Sequence, residues 1–250
     1  TDLGIGDDLQ RLRAAMARIR SLERHQAELK QARGEALLFN DELLAALSRL
    51  PPVPMPRPIK VPRVGSEVAA VLMLGDWHIG EVINVDEMEG FNAFNLDIAT
   101  RRLNRLAEKF LEWIAIQRRG YRITRCYVVG LGDFINGDIH PEYTATNEFP
   151  VPVAVSHAGR LLAECISRVA TGFETVLVDL IGADNHGRLS LKPQSKEAAA
   201  NNFNYLVYEI AKGILARQSR VQVRCHLPLR VQFEIEGRSV LIEHGHGTKA

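Results

Sequence analysis

The sequence predicts an α/β domain built around a β-sheet, with a helical extension in front of it. Two features of the pattern predict this. Short apolar runs at residues 68–74, 126–131 and 176–181 alternate with stretches of helical periodicity, which points to βαβ units with buried strands. Each run also ends in a polar segment containing glycine, as expected where the carboxyl ends of parallel strands meet a ligand.

Residues 1–50 read as helix. Leu9, Leu12, Met16 and Ile19 recur at 3-4-3 spacing and form one stripe, which Leu22 and Leu29 extend after a small phase slip. The other faces carry Arg11, Arg13, Arg18, Arg20, Arg24, Lys30 and Arg33. Two readings stand side by side: a solvated helix that packs on its own domain or pairs into a homo-oligomer, and a basic arm that touches nucleic-acid phosphates. Gly34 weakens the helix, and residues 35–50 resume the apolar pattern. Pro51, Pro52, Pro54, Pro56, Pro58 and Pro62 then exclude helix and favour a stiff, extended spacer. The expected organisation is a coiled-coil-like extension at 1–50, a proline-rich linker at 51–66 and the main domain at 67–250.

Within that domain, residues 96–116, 153–170 and 196–215 carry helical periodicity, and Asn95 is placed to cap the first of these helices. Residues 221–225, 229–235 and 239–243 read as strands, with Glu236-Gly237 as a hairpin turn. Some antiparallel pairing therefore accompanies the βαβ units.

At 250 residues, 46% hydrophobic and 24% charged, the chain suffices for one sizeable globular domain and an appendage. A net charge of +1 means that any basic surface is local. Cys126, Cys165 and Cys225 are widely spaced, offer neither a disulfide framework nor zinc-knuckle spacing, and fit a reducing compartment. No apolar run reaches the roughly 18 residues of a membrane span, and no secretory signal pattern appears. An intracellular protein without a membrane partner is expected.

The chemistry lies in four polar clusters. Gly75-Asp76-Trp77-His78 follows the first apolar run, Gly132-Asp133-Phe134-Ile135-Asn136-Gly137-Asp138 the second, and Gly182-Ala183-Asp184-Asn185-His186-Gly187-Arg188 the third, while Glu243-His244-Gly245-His246 ends a later strand. On an extended segment, Asp-x-His puts both side chains on one side, so Asp76 and His78 are expected to chelate one ion. Asp133 supplies a carboxylate able to bridge two ions, Asn185 a neutral amide oxygen, and His244 an imidazole. Mixed oxygen and nitrogen ligands suit Mn²⁺, Fe or Zn²⁺ better than Ca²⁺. Two divalent ions bring more positive charge than Asp76, Asp133 and a hydroxide remove, so the site stays cationic, suits a phosphate anion, and has a metal-activated water as its nucleophile. His186, next to Asn185, is expected beside the reacting phosphate, where it stabilises the transition state or protonates the leaving oxygen. Arg188 either holds a phosphate oxygen or is a surface charge. Asn136 and His140 are substrate contacts or turn residues, and His246 is a further candidate at the site edge. Trp77 is expected to pack beneath the site.

Taken in order, Asp76-x-His78, Gly132-Asp133, Asn185-His186 and His244-Gly245 resemble the successive signature blocks of the calcineurin-like metallophosphoesterase superfamily, over residues 68–249. The wording Gly-Asp-Trp-His-Ile-Gly-Glu, Gly-Asp-Phe-Ile-Asn-Gly-Asp-Ile-His and Asn-His-Gly-Arg is similar to that of bacteriophage and prophage members described as DNA repair exonucleases. The resemblance implies a β-sandwich core flanked by helices and an aspartate-bridged pair of divalent transition metals, with Mn²⁺ ahead of Fe or Zn²⁺. It implies a phosphodiesterase or nuclease acting on DNA or RNA in the cytoplasm of a bacterial or phage-infected cell. The alternatives are a phosphatase or phosphodiesterase for small molecules such as nucleotides, and a non-catalytic assembly module that uses the N-terminal helix.

Two departures from the family pattern matter. Its third block reads Gly-Asn-His-Asp or Gly-Asn-His-Glu, whereas here Asp184 precedes Asn185 and Gly187 follows His186. The acidic partner of His186 is therefore missing from its place, with Asp184 or Asp138 as substitutes. The final Gly-His-x-His block is not found before Ala250, so the natural chain is expected to continue past that residue.

Overall fold

The computed structural model describes Met16, Arg18, residues 65–192 and residues 197–245. The chain divides into two compact units, Thr1–Lys60 and Val61–Ala250. Met16 and Arg18 of the first unit are helical and exposed; the other residues of the apolar stripe, the other basic residues beside it and the six prolines lie outside the described residues.

The second unit runs β1 (Ala70–Leu74), α1 (Leu96–Gln117), β2 (Arg125–Gly130), α2 (Pro141–Thr146), α3 (Val151–Ala170), β3 (Thr175–Ile181), α4 (Phe203–Leu215), β4 (Val221–His226), β5 (Arg230–Ile235) and β6 (Arg238–Glu243). Strands β1 to β4 form one parallel sheet in sequence order, and β5 and β6 form a two-stranded antiparallel sheet. Every crossover in the parallel sheet steps one strand in the same direction. Right-handed crossovers then carry all their helices over one face. Burial follows this arrangement: Leu72, Cys126, Val128, Val176 and Val178 share one core with Leu103, Leu162 and Val207. Helix α3 packs against both α1 and α4.

On the other face, Val231 and Ile242 of the hairpin bury against Val129 and Ile181. This contact delivers the chain leaving β6 to the carboxyl edge of the parallel sheet. The first apolar run was expected to be buried on both faces, but Val71 and Met73 are 45% and 62% exposed. The helices cover one face only, and on the other face the hairpin packs over β2 and β3 and not over the edge strand β1.

The α/β expectation thus holds, with antiparallel pairing where the Glu236-Gly237 turn was expected. Both turn residues have positive φ, 49° and 72°, as a type I′ hairpin turn requires. Asn95 caps α1, its side chain accepting the Ile98 amide at 2.9 Å. The helix expected from residue 196 begins instead at Phe203, because Asn202 takes the cap position and accepts the Asn204 amide at 2.9 Å. α2 was not expected: six residues are too few to register as a periodicity, and its start is set by Pro141. No helix among the described residues is long and apolar enough to cross a membrane.

Tyr208 is fully buried, its ring edge-on to Phe134 at 5.5 Å, and its hydroxyl has no hydrogen-bond partner. A buried unpaired hydroxyl costs stability. Tyr208→Phe is therefore expected to hold or raise the melting temperature in thermal denaturation. A marked fall would show that the hydroxyl is satisfied in solution.

Candidate metal centre

The loops leaving β1 and β2 stay zipped together beyond the sheet. Asp76 and His78 donate backbone N–H to the carbonyls of Gly132 and Asp133 at 3.1 and 3.0 Å, and Ile79 donates to Phe134 at 3.0 Å. Along this seam Asp76, His78 and Asp133 have φ of 54°, 47° and 52°. Left-handed backbone is unfavourable for residues that carry a Cβ, and such outliers gather at functional sites. The extended Asp-x-His segment expected from the sequence is corrected here: left-handed turns, not strand alternation, aim these two side chains.

The third loop is tied to the second by Asp184. Its carboxylate accepts the Asp133 amide at 2.8 Å, the Gly187 amide at 2.7 Å and the Asn202 side chain at 3.2 Å, and it also takes the Asn204 side-chain amide. Asn204 returns its own oxygen to the Phe134 amide at 3.1 Å. Burial, and then the charge of Asp133, push the Asp184 carboxyl up to about 6.

Asp133 is 4% exposed and lies between two groups of candidate ligands. On one side, His78, Asp133 and His186 each offer a ligand atom within 4.8 Å of the others. The His78 and His186 rings meet edge to face at 4.4 Å. Nδ1 of His186 lies 2.8 Å from the Asn136 carbonyl oxygen; it therefore carries the proton there and leaves Nε2 for the site. Nδ1 of His78 is buried without a hydrogen-bond partner, an orphan that a cation would satisfy.

On the other side, Nδ1 of His244 lies 2.7 Å from the Leu131 carbonyl oxygen, while Nε2 lies 2.7 Å from Asn185 Oδ1 and 3.2 Å from Asp133 Oδ2. All three neighbours accept hydrogen bonds, so without a metal the ring holds both its protons. Burial lowers the His244 pKa, but the hydrogen bond to Asp133 and its charge, with help from Leu131 and Asp184, push it up to about 9. Burial raises the Asp133 pKa in turn, yet the His244 hydrogen bond and charge, together with His186, hold it below the ordinary carboxylate value. Burial and the neighbouring His186 charge hold His78 below the ordinary imidazole value. Among the described residues, His78, Asp133 and His186 are spaced as donors that could hold one metal ion, while Asp133, Asn185 and His244 meet on the other side as a carboxylate, an amide oxygen and an imidazole.

The other candidates are dispersed around this centre. Asp76 is exposed and lines a cavity of about 190 Å³ with Trp77, Phe94 and Arg102. Trp77 is buried edge-on to Phe134 at 4.6 Å. Arg188 is half-buried and donates to the Leu191 carbonyl at 3.1 Å, while its Nε is buried without a partner. Asn136 is 2% exposed; its amide turns inward to Asn147 Oδ1 at 3.0 Å, and its carbonyl orients His186. His140 is exposed at the start of α2, and His246 lies outside the described residues. Neither Asp184 nor Asp138 serves as the acidic partner of His186, because the Asn136 carbonyl holds its Nδ1 and Asp184 faces the backbone amides.

Several contributors were not singled out in the sequence. Tyr143 stacks on His186 at 5.3 Å, Asn147 ties the second loop through the Gly137 carbonyl at 2.7 Å, and Asn202 and Asn204 hold Asp184. The dense asparagines at 201, 202 and 204 were the one available signal, since such residues favour helix starts and turns over helix interiors. Compared with known proteins, the chain matches no protein family, and no curated protein matches it.

Two outcomes are expected. Gly137 has φ of 71°, and a Cβ there would meet the His186 carbonyl oxygen at 2.0 Å. Gly137→Ala should therefore lower the melting temperature and weaken Mn²⁺ binding in calorimetry, and wild-type values for both would remove this contact from the site. The second outcome concerns pH. The folded His244 pKa is raised, so its contribution is complete below the unfolded value of 6.5 and is lost as pH rises through about 9. The melting temperature of metal-free protein should fall over that interval, and His244→Gln should flatten the fall. A cation taking His244 Nε2 would have to displace the same proton, so Mn²⁺ affinity, measured by calorimetry, is expected to rise over the same interval.

Proposed function

We propose that this chain is a dinuclear-metal-dependent phosphoesterase of the calcineurin-like kind, a phosphodiesterase or nuclease that hydrolyses DNA or RNA. The observation that carries the reading is the position of Asp133, a buried carboxylate with His78 and His186 on one side and Asn185 and His244 on the other. A carboxylate so placed can be shared by two cations. The metallophosphoesterase β-sandwich belongs to the same reading, with the β5–β6 hairpin on β2 and β3 as its second layer.

In this reading His78, Asp133, Asn185 and His244 hold two divalent ions, Mn²⁺ ahead of Fe or Zn²⁺, and Asp76 completes the set when its exposed side chain swings inward. Ions held there would supply Lewis acidity and an acidified water for attack on phosphorus. The chain itself does the rest. The Asn136 carbonyl keeps the His186 proton on Nδ1, and in this reading the remaining Nε2, spaced with His78 and Asp133 as a candidate metal donor, serves the phosphate instead of an ion. When protonated there as well, His186 stabilises the transition-state charge and delivers a proton to the leaving oxygen. Arg188, in the same loop and with a buried Nε that has no partner, would hold a phosphate oxygen in this reading. The protein would act on nucleic acid in the cytoplasm of a bacterial or phage-infected cell, with the basic N-terminal helix as an added contact or an oligomerisation element.

The test is turnover by the full-length chain with added Mn²⁺. Hydrolysis of bis-p-nitrophenyl phosphate and of DNA or RNA is expected. Asp133→Asn should reduce both to the metal-free background while circular dichroism stays unchanged. Cleavage of the aryl diester without cleavage of either nucleic acid would favour a small-nucleotide substrate. Absence of both turnover and bound Mn²⁺ would overturn the reading in favour of an assembly module.

A further inference from the structure

At the opposite end of the parallel sheet, the loops that enter β2, β3 and β4 line a cavity of about 670 Å³ whose walls include Arg118, Tyr121, Arg122, Phe173, Glu174 and Arg220. The chain as a whole carries a formal charge of only +1, so three guanidiniums against one carboxylate in a single cavity is a local concentration of charge.

Arg118 has a structural explanation. Its Nε and Nη2 donate to the Ile123 carbonyl at 3.0 and 2.7 Å, Nη2 also donates to the Gly172 carbonyl, and the guanidinium lies 5.2 Å from the Phe173 ring centre. A cation just past the ends of α1 and α3 also answers the negative pole of each helix. Arg122 and Arg220 have no such explanation. Both are exposed, and neither side chain makes a hydrogen bond or ion pair among the described residues. With Glu174 as the only carboxylate among the lining residues, the three guanidiniums leave the cavity net positive, which favours an anion.

The guanidinium fork matches phosphate oxygens in paired hydrogen bonds. Half-buried Tyr121, which packs partly against the core, lines the same wall, and the part of its ring left open is of a kind that takes a nucleobase by stacking. A volume of about 670 Å³ suits a nucleotide-sized ligand. We propose that this cavity is a second, non-catalytic site that binds nucleotide phosphates, either of a free nucleoside polyphosphate or of a nucleic-acid strand.

The proposal is independent of the metal centre and is tested on the full-length chain kept metal-free with chelator. ATP and pyrophosphate are titrated by calorimetry, and a labelled single-stranded oligonucleotide by fluorescence anisotropy. Wild-type protein should bind, and the double variant Arg122→Gln/Arg220→Gln should bind about tenfold more weakly or worse. For the oligonucleotide, the slope of log K against log salt should flatten by about 0.7 for each phosphate that the variant no longer neutralises. Asp133→Asn should leave these affinities unchanged. The double variant, altered only at exposed side chains, should keep wild-type hydrolysis of the aryl diester. Binding of ATP with the same arginine dependence assigns a free nucleotide, and binding of the oligonucleotide alone assigns a strand. Equal affinities for wild type and double variant, or no binding of any probe, would overturn the proposal. A chain with no phosphoesterase turnover that still shows arginine-dependent binding would refute the proposed function and leave this site standing.

Discussion

The carboxylate of Asp184, 3% exposed, takes hydrogen bonds from two backbone amides and two asparagine side chains, and through them it joins the loops after β2 and β3 to the first turn of α4. A buried charge is tolerable only when its donors are fixed. Asp184 therefore dictates where Asp133 and Gly187 lie, and with them the two residues between, Asn185 and His186. The glycines beside it leave no slack. A Cβ on Gly132 would come within 2.8 Å of Asp184 Cβ, and one on Gly187 within 2.3 Å of Asn202 Oδ1. Asp133 keeps a left-handed backbone because its amide is held from one side by Asp184 and its carbonyl from the other by His78.

The fourth side chain reaches this centre by a different route. His244 follows β6, and β6 is placed by apolar contacts of Val231 and Ile242 with Val129 and Ile181 rather than by ladder hydrogen bonds to the parallel sheet. Nearby on the same face of the sheet, Asp179 is fully buried and pairs with Arg224 and His226 at 2.7 Å each, which couples β3 to β4. The carboxyl edge thus gathers carboxylates and imidazoles in a closely hydrogen-bonded nest, whereas the amino edge gathers arginines around an open cavity. The two ends have opposite chemical characters although the whole chain is nearly neutral.

Much of the fold was legible because periodicity reports burial. The runs before Gly75, Gly132 and Gly182 became β1, β2 and β3, and the Glu236-Gly237 turn was recognisable because glycine tolerates the positive φ that tight hairpin turns use. The late start of α4 was missed although its cap is local: Asn202 accepts the Asn204 amide, but helical periodicity was read through the residues before it. The site was legible in part. Polar residue types at strand ends identified Asp133, Asn185, His186 and His244, which the fold brings together. The acceptor that orients His186 is a backbone carbonyl, and the ring stacked on it belongs to a six-residue helix; neither leaves a pattern in the sequence. The aim of Asp76 and His78 was misjudged for a related reason, because alternation describes strands and these residues occupy left-handed turns.

Whether Asp133 gathers a pair of cations is tested most directly by soaking crystals of the full-length protein in Mn²⁺ and recording anomalous difference maps at the manganese edge. Two peaks are expected, both within bonding distance of the Asp133 carboxylate, one beside His78 and the other beside Asn185 and His244. Peaks only at surface carboxylates, with none on Asp133, would contradict a shared metal centre.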